Sequence, residues 1–176
     1  MKIAILGGSF NPPHFGHINL SLEAKKLMHL DQIWWQPTKQ NPLKTFKSED
    51  FDSKFQKCLE ITKNYPEIII KDDEKNLKSN ISIDLIRKII QLYPNNKFFW
   101  LMGADSIIDF HLWEEWQEII NLVDIIIGDR SDYYQQASQS ISYNYAKDLG
   151  KIHFLKINKI DISSSEIRKI NNKYEI

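Results

Sequence analysis

The chain of 176 residues contains a single cysteine, Cys58. One thiol excludes a disulfide framework within the chain. Apolar residues recur around Cys58 at helical spacing, at Phe51, Phe55 and Leu59. This pattern is typical of the buried face of an amphipathic helix. We therefore expect Cys58 to be a small buried side chain rather than a catalytic nucleophile.

The sequence also lacks an excess of charge of either sign, because 23 Lys and Arg residues balance 23 Asp and Glu residues. Proteins that bind nucleic acids or anionic membranes usually carry a surplus of basic residues. No apolar run reaches the roughly 18 residues of a membrane-spanning helix. The first residues resemble a strand rather than a signal peptide. We therefore expect no nucleic-acid partner, no membrane association and a cytoplasmic location.

Short apolar runs alternate with stretches of helical period along the chain. The runs at 2–6, 32–35, 68–70, 98–102, 124–127 and 152–157 predict strands. Helices are predicted at 20–28, 51–59, 83–90, 113–120 and 163–171, whereas 38–50 is a polar loop and 131–151 is weakly patterned. Continuously apolar strands separated by helices indicate a parallel sheet covered on both faces. The sequence thus predicts an α/β fold, a doubly wound Rossmann-like parallel sheet, as a single domain over residues 1–176.

The first candidate site follows the first predicted strand and has the sequence GGSFNPPHFGH over residues 7–17. Its two leading glycines allow a close approach of backbone to ligand, and the start of a helix presents N–H groups to an anion. His14 and His17 are three residues apart, so both rings can face one phosphate, and Gly16 carries no side chain to block access. The spacing is neither the dinucleotide fingerprint GxGxxG nor the P-loop GxxxxGK(S/T). The segment predicts a phosphate site where the first helix begins.

Two other interpretations of the histidines stay open at this level. His14 could cap the helix while His17 lies on the surface, or both could bind a metal ion. A metal site would need carboxylate or cysteine partners at matching spacing, and none is convincing. We therefore predict no metal ion held by protein side chains.

The second candidate site is the sequence ISSSEIR at residues 162–168. Ser163 and Glu166 match a capping box, which predicts the start of a helix. The N–H groups of Ser164 and Ser165 and the positive end of the helix dipole would face an anion. Arg168 lies one turn inside the helix and could reach the same anion. An ordinary capped helix is the alternative.

The third candidate site begins after the predicted strand at 98–102. Gly103 and Asp105 stand where a carboxylate could meet ribose hydroxyls at the end of a central strand. Trp113 could stack on a flat ring, although its helical spacing with Trp116 and Ile120 is equally compatible with a core position.

Residues 8–17 resemble the HxGH signature of the nucleotidyltransferase superfamily, and residues 162–168 resemble its ISSTxIR signature. GGSFNPPH combined with GADS and a following tryptophan pair resembles the nicotinate-mononucleotide adenylyltransferase family in particular. The likeness runs over most of the chain, with closely matching ends and a looser middle. It implies a fold of the nucleotidyltransferase type.

The resemblance also implies the role of each site residue. His14 and His17 would hold the phosphates of ATP, and Arg168 would bind the leaving pyrophosphate. The implied ATP-binding residues are Gly8, Ser9, Phe10, Gly103, Asp105, Ser164 and Ser165. Trp113 would stack on the pyridine ring of the acceptor. Mg²⁺ would enter with ATP, held by phosphate oxygens and water.

The chain departs from this family at three places. Residues 42–44 read Pro-Leu-Lys where relatives usually have Pro-His-Lys, and residues 81–82 read Ile-Ser where they usually have Tyr-Thr. Backbone N–H groups around Ser82, together with Lys44, are the donors expected to face a substrate carboxylate. The chain ends soon after Arg168, where relatives commonly continue through about one more helix.

The predicted reaction is transfer of the adenylyl group of ATP to nicotinate mononucleotide, giving deamido-NAD and pyrophosphate in NAD biosynthesis. One alternative is another small adenylyltransferase such as the pantetheine-phosphate enzyme, which shares both end motifs but which the tryptophan pair disfavours. A second alternative is a nucleotide-binding regulator that has lost catalysis. The expected partners are ATP and nicotinate mononucleotide, and an oligomer is possible.

Overall fold

The computed structural model describes residues 1–39, 50–75, 77, 79, 81–129 and 133–157. Within these residues six strands form one sheet in the order β3-β2-β1-β4-β5-β6, and every neighbouring pair is parallel. The strands are β1 Lys2–Gly8, β2 Gln32–Pro37, β3 Ile68–Ile70, β4 Lys97–Gly103, β5 Asp124–Asp129 and β6 Ile152–Lys156. This confirms the predicted doubly wound parallel sheet.

Seven α-helices and one short 3₁₀-helix accompany the sheet in the described part of the chain. The α-helices are α1 Phe15–Met28, α2 Phe51–Thr62, α3 Ser82–Leu92, α4 Ala104–Ile108, α5 Trp116–Leu122, α6 Tyr134–Gln139 and α7 Ile141–Asp148. The 3₁₀-helix is Phe110–Leu112. Across the described ranges, no helix combines the length and the apolar character needed to cross a bilayer.

Both faces of the sheet are covered by apolar side chains. Along β1, Ile3 and Ile5 belong to the core on one face, while Ala4 and Leu6 belong to the core on the other. Successive side chains of a strand point to opposite faces, so a strand buried on both sides must be apolar throughout. The continuous apolar runs in the sequence have this cause.

The winding of the chain reverses between β1 and β4, which are neighbours in the sheet. β1 ends at Gly8 and β4 ends at Gly103. Ligands of doubly wound folds bind in the crevice outside the carboxyl ends of the strands at such a reversal. The fold therefore brings the first and third candidate sites to one edge of the sheet.

Two local predictions were wrong, and one stretch for which no element was predicted contains helices. The helix predicted at 113–120 begins at Trp116, because Glu115 has the left-handed φ of 51° and Trp113 is extended. Residues 131–151 contain α6 and α7, which are too short to show a clear apolar stripe. On α2, Leu59 is 42% exposed while Lys54 is fully buried. Lys54 is buried because its ammonium group donates hydrogen bonds to two carbonyl oxygens just after β2.

Candidate active site

The first turn of α1 holds the two histidines of the HxGH motif. His14 is the N-cap residue, and its Nδ1 accepts a hydrogen bond from the Gly16 N–H at 3.1 Å. In return the His14 N–H donates to Nδ1 of His17 at 3.2 Å. The two imidazoles thus form a capping box, an arrangement that usually uses Ser or Thr with Glu. The structure confirms the interpretation of His14 as a helix cap, and the cap orients both rings.

The capping box also determines where each ring carries its proton. A ring nitrogen that accepts an N–H hydrogen bond has no proton of its own, so the proton of each neutral imidazole lies on Nε2. The ring centroids of His14 and His17 are 3.8 Å apart. His14 is 6% exposed, and His17 is half-buried. The helix start therefore holds two adjacent Nε2–H donors of the kind that a phosphoryl oxygen accepts.

The loop between β1 and α1 is held in an unusual conformation by packing. Phe10 has the left-handed φ of 40°, and its ring is 1% exposed. A Cβ added at Gly8 would lie 3.3 Å from Cε2 of that ring, a tight contact that would require the ring to shift by a few tenths of an ångström. Because the Phe10 side chain is buried, a contact between Phe10 and ATP could involve only its backbone. Ser9 is half-buried in the same loop.

Gly7 lies beneath the tip of the Trp100 indole. A Cβ at this position would meet Cη2 of Trp100 at 2.6 Å and Cζ2 at 2.7 Å, distances that no real Cβ tolerates. Trp100 in turn meets Trp113 edge to face, with ring centroids 6.2 Å apart. The indole of Trp100 therefore connects the end of β1 with Trp113.

Gly103 and Asp105 lie beside the end of β1, across the reversal of the winding. Gly103 is buried as the last residue of β4 and precedes α4. Asp105 is exposed in the first turn of α4. An exposed carboxylate at this edge can accept hydrogen bonds from hydroxyl groups of a bound nucleotide.

Trp113 and Ser82 lie on neighbouring segments, the one between the 3₁₀-helix and α5 and the other at the start of α3, which an ion pair connects. Trp113 is half-buried and packs against Phe110 with centroids 5.0 Å apart. Ser82 is the first residue of α3, whose cap Ile81 makes no side-chain capping hydrogen bond. Two nitrogens of Arg87 on α3 donate to the Glu115 carboxylate, at 2.6 and 3.4 Å. The start of α3, which the Ile81 side chain does not cap, presents backbone N–H groups of the kind that suit an anion.

A buried polar cluster at the end of β2 was not predicted. Lys54 is fully buried and its ammonium donates to the carbonyl oxygens of Thr38 and Lys39. The Lys39 N–H donates to Oε1 of Glu74 at 2.8 Å. Burial raises the pKa of the Glu74 carboxyl, although the Lys39 hydrogen bond and the charge of Lys54 oppose this. A lysine within an apolar helical stripe was the available signal, but such a residue is usually exposed.

The thiol of Cys58 lies fully buried on the same helix as Lys54. Burial raises its pKa to about 12, and the nearby charge of Lys54 only partly opposes the shift. A thiol that stays protonated is a poor nucleophile. The prediction of a small buried side chain at Cys58 is confirmed.

Two buried side-chain atoms at the end of β2, Gln36 Oε1 and Thr38 Oγ1, have no hydrogen-bond partner among the residues described. Gln36 pairs in register with Gly7, next to the loop that leads to His14. Buried polar atoms are usually satisfied. The carboxyl end of β2 thus holds polar atoms that could still accept hydrogen bonds.

Four predicted site residues lie outside the described residues, namely Lys44, Ser164, Ser165 and Arg168. In the ranges that are described, no group of three or more His, Cys, Asp or Glu residues could hold a metal ion. The structure brings His14 and His17 together, and it places Gly8, Gly103 and Asp105 at the edge of the sheet where β1 and β4 end.

Comparisons with known proteins agree on one family. A family model described as cytidylyltransferase-like matches residues 5–170. A protein of Pelagibacter ubique named "Probable nicotinate-nucleotide adenylyltransferase" is 37% identical, over 96% of this chain and 93% of its own. A protein of Campylobacter jejuni with the same name is 36% identical, over 100% of this chain and 90% of its own.

A solved structure gives the same result. Nicotinic acid mononucleotide adenylyltransferase of Plasmodium falciparum, complexed with NaAD, matches with a TM-score of 0.78 and 26% identity. The match covers 97% of this chain and 87% of the Plasmodium chain.

Proposed function

This chain belongs to the cytidylyltransferase-like family, among its nicotinate-nucleotide adenylyltransferases, and we propose how its residues carry out that reaction. The enzyme transfers the adenylyl group of ATP to nicotinate mononucleotide, giving deamido-NAD and pyrophosphate in NAD biosynthesis. The observation that carries the mechanism is the reciprocal capping of His14 and His17 at the start of α1, beside the carboxyl end of β1, in which Nδ1 of each ring accepts a backbone hydrogen bond.

We propose an in-line displacement at the α-phosphorus of ATP. An oxygen of the acceptor's 5′-phosphate forms the new P–O bond, while the bond between the α-phosphorus and the bridging oxygen of pyrophosphate breaks. Because the attacking phosphate is already ionised near neutral pH, no strong general base is required. The rate acceleration comes from positioning of the reactants and from hydrogen bonds to the charge that develops in the transition state.

In this mechanism the neutral rings of His14 and His17 donate from Nε2 to the phosphoryl oxygens. The backbone of Gly8, Ser9 and Phe10 follows the nucleotide phosphates. Asp105 accepts from ribose hydroxyls, beside Gly103. Mg²⁺ enters bound to the phosphate oxygens of ATP, as part of the substrate. Arg168 and the N–H groups of Ser164 and Ser165 are proposed to hold the pyrophosphate.

The acceptor is proposed to lie between Trp113 and the start of α3. A pyridinium ring is positively charged, so the face of Trp113 gives it a favourable cation–π contact. The carboxylate of the substrate would accept from backbone N–H groups at Ser82, where α3 has no side-chain cap. Lys44 is proposed as a second donor. Donors alone suit a carboxylate, whereas the NH₂ group of an amide would be left without an acceptor.

The test compares kcat/KM for nicotinate mononucleotide, nicotinamide mononucleotide and pantetheine phosphate, each with ATP and Mg²⁺ and with product identification. Leaving a buried NH₂ unpaired costs about 1–3 kcal/mol, so we expect the acid to be preferred over the amide by roughly 10- to 100-fold. Equal values for acid and amide would contradict the proposed carboxylate site. A preference for pantetheine phosphate would contradict the assignment of the acceptor.

Trp113→Leu tests the proposed stacking contact. We expect this variant to raise the KM for both mononucleotides and to leave the KM for ATP near its original value. Trp116→Leu is the matched control, since the Trp116 ring packs against Tyr145 instead, with centroids 5.0 Å apart. Equal effects of the two substitutions on the acceptor KM would remove Trp113 from the acceptor site.

A further inference from the structure

The buried indole of Trp35 and the buried hydroxyl of Ser21 connect β2 with the first turn of α1. Both residues are fully buried. Nε1 of Trp35 donates to Oγ of Ser21 at 2.8 Å. Oγ of Ser21 donates its own proton to the carbonyl oxygen of His17, also at 2.8 Å. Two hydrogen bonds thus connect β2 with the backbone of His17.

The rings add a second connection between the same residues. Phe10 stacks on Trp35 with centroids 4.7 Å apart and an interplanar angle of 16°. The centroid of His17 lies 4.9 Å from that of Phe10 and 5.8 Å from that of Trp35. Trp35 is therefore connected to His17 in two ways. Its indole N–H reaches the His17 backbone through the Ser21 hydroxyl, and its ring contacts the His17 ring directly.

The chemistry of the two groups explains why they occur together. An indole N–H can only donate, and a buried donor without an acceptor costs about 1–3 kcal/mol. A serine hydroxyl can accept this bond and still donate to the carbonyl one turn earlier in its own helix. Serine within a helix usually competes with the backbone and weakens the helix. Here Ser21 instead joins the helix backbone at His17 to a rigid buried ring.

We propose that Trp35 and Ser21 are positioning residues that set the orientation of His17. They determine where the Nε2–H of His17 meets the phosphoryl oxygens, and neither touches the substrate. The proposal rests on the function proposed above, because it takes His17 as a residue that contacts the reacting phosphate. A misplacement of about 1 Å in an active site can lower the rate by 10²-fold.

The test is a double-mutant cycle with Ser21→Ala, His17→Ala and both together, in which kcat and the KM for ATP are measured. We expect Ser21→Ala alone to lower kcat by roughly 10-fold and to change the KM for ATP little. In the His17→Ala background it should change kcat by less than about 2-fold, because its effect passes through His17. His17→Asn replaces His17→Ala if the latter does not fold, since Asn can still accept from the His14 N–H.

Thr62→Ala is the matched control. Thr62 is buried on α2, and its hydroxyl donates to the Cys58 carbonyl at 2.7 Å, which is the same contact one turn back along a helix. We expect it to lower Tm as Ser21→Ala does and to leave kcat unchanged. Loss of kcat in Thr62→Ala equal to that in Ser21→Ala would overturn the proposal.

Trp35→Phe combined with Ser21→Ala separates positioning from stability. The double variant has neither the indole N–H nor its acceptor, so no buried donor is left unpaired, and we expect its loss of Tm to be smaller than the sum of the losses in the two single variants. The connection to His17 is still absent, so kcat should stay low. Recovery of kcat to the level of the unaltered enzyme would overturn the proposal.

The failure of this proposal and that of the proposed function give different results. Two outcomes would overturn the positioning role alone. The first is a large loss of kcat in His17→Ala together with a normal kcat in Ser21→Ala. The second is that Ser21→Ala lowers kcat by the same factor with and without His17→Ala. Normal kcat in folded His17→Ala would overturn the role proposed for His17 and the positioning role with it. Absence of adenylyl transfer in the unaltered enzyme would overturn the proposed function.

Discussion

At the first turn of α1 the rings of His14 and His17 are both hydrogen-bonded to the helix backbone and His14 is buried, whereas around Trp113 and the start of α3 the proposed site residues are half-exposed. His14 is 6% exposed, and its ring is engaged with the backbone of its own helix. On the other side, Arg87 and Glu115 join the two segments, and their side chains are 46% and 47% exposed. The difference fits the demands on each side, because phosphoryl chemistry needs a fixed geometry while acceptor binding tolerates adjustment.

The largest expected effect lies on the buried side. His17→Ala should lower kcat by roughly 10²–10³-fold, because the lost donor meets charge that grows in the transition state, and the KM for ATP should change less. Steady-state kinetics with a circular dichroism check of folding would measure this. A raised KM with normal kcat would show that His17 only binds ATP, and the contrast between the two sides would then weaken.

The next effect concerns Gly7, which connects the two sides through Trp100. Gly7→Ala should lower the free energy of unfolding by about 1–3 kcal/mol, because the new methyl group overlaps the buried indole. Adding Trp100→Phe, which removes the overlapping atoms, should restore part of this loss. Chemical denaturation of the single and double variants measures both values, and an unchanged stability in Gly7→Ala would contradict the close approach.

A smaller effect is expected on the exposed side. Arg87→Gln removes the pair with Glu115, which at this exposure is worth about 0–1 kcal/mol. The KM for nicotinate mononucleotide should rise by a few-fold at most, with kcat and the KM for ATP unchanged. Added salt should reduce the difference from the unaltered enzyme. An effect on kcat as large as that of His17→Ala would remove the distinction between the two sides.

The smallest effect is expected at the other end of the strands, where β4, β5 and β6 begin. There Asp124 pairs with Lys97 at 3.0 Å and with His153 at 3.4 Å. Burial raises the pKa of Asp124, but the hydrogen bonds and charges of Lys97 and His153 outweigh it, so the net pKa is lowered. A lowered folded-state pKa stabilises the protein above about pH 4 and loses this contribution as the pH falls through the folded value.

Asp124→Asn should therefore lower the free energy of unfolding at pH 6 by less than about 1 kcal/mol, and the difference should shrink near pH 3. Activity should stay unchanged, since Asp124 lies at the beginning of β5 and the proposed site lies at the carboxyl ends of the strands. Urea unfolding at the two pH values measures the effect. A difference that grows on acidification would have the wrong sign for this pair.

Elements with strong patterns were predicted well, and short elements were not. The strands were recognisable because burial on two faces requires continuous apolar residues, as in the FFWLM run at 98–102. α6 and α7 have six and eight residues, too few for a helical period to emerge. Trp113 was assigned to a helix because the left-handed turn at Glu115 has no sequence signal that distinguishes it from helix.

The sequence by itself determined the parallel doubly wound fold and the pairing of His14 with His17. Both depend on local spacing. The fold follows from the alternation of apolar runs with helical stretches, and the pairing follows from the separation of three positions between the two histidines at the start of a helix. The tertiary structure decided which distant groups meet, including the indole of Trp35 with Ser21 and that of Trp100 with Gly7. Such contacts depend on how strands and helices pack against each other, and the spacing of residues along the chain does not predict that packing.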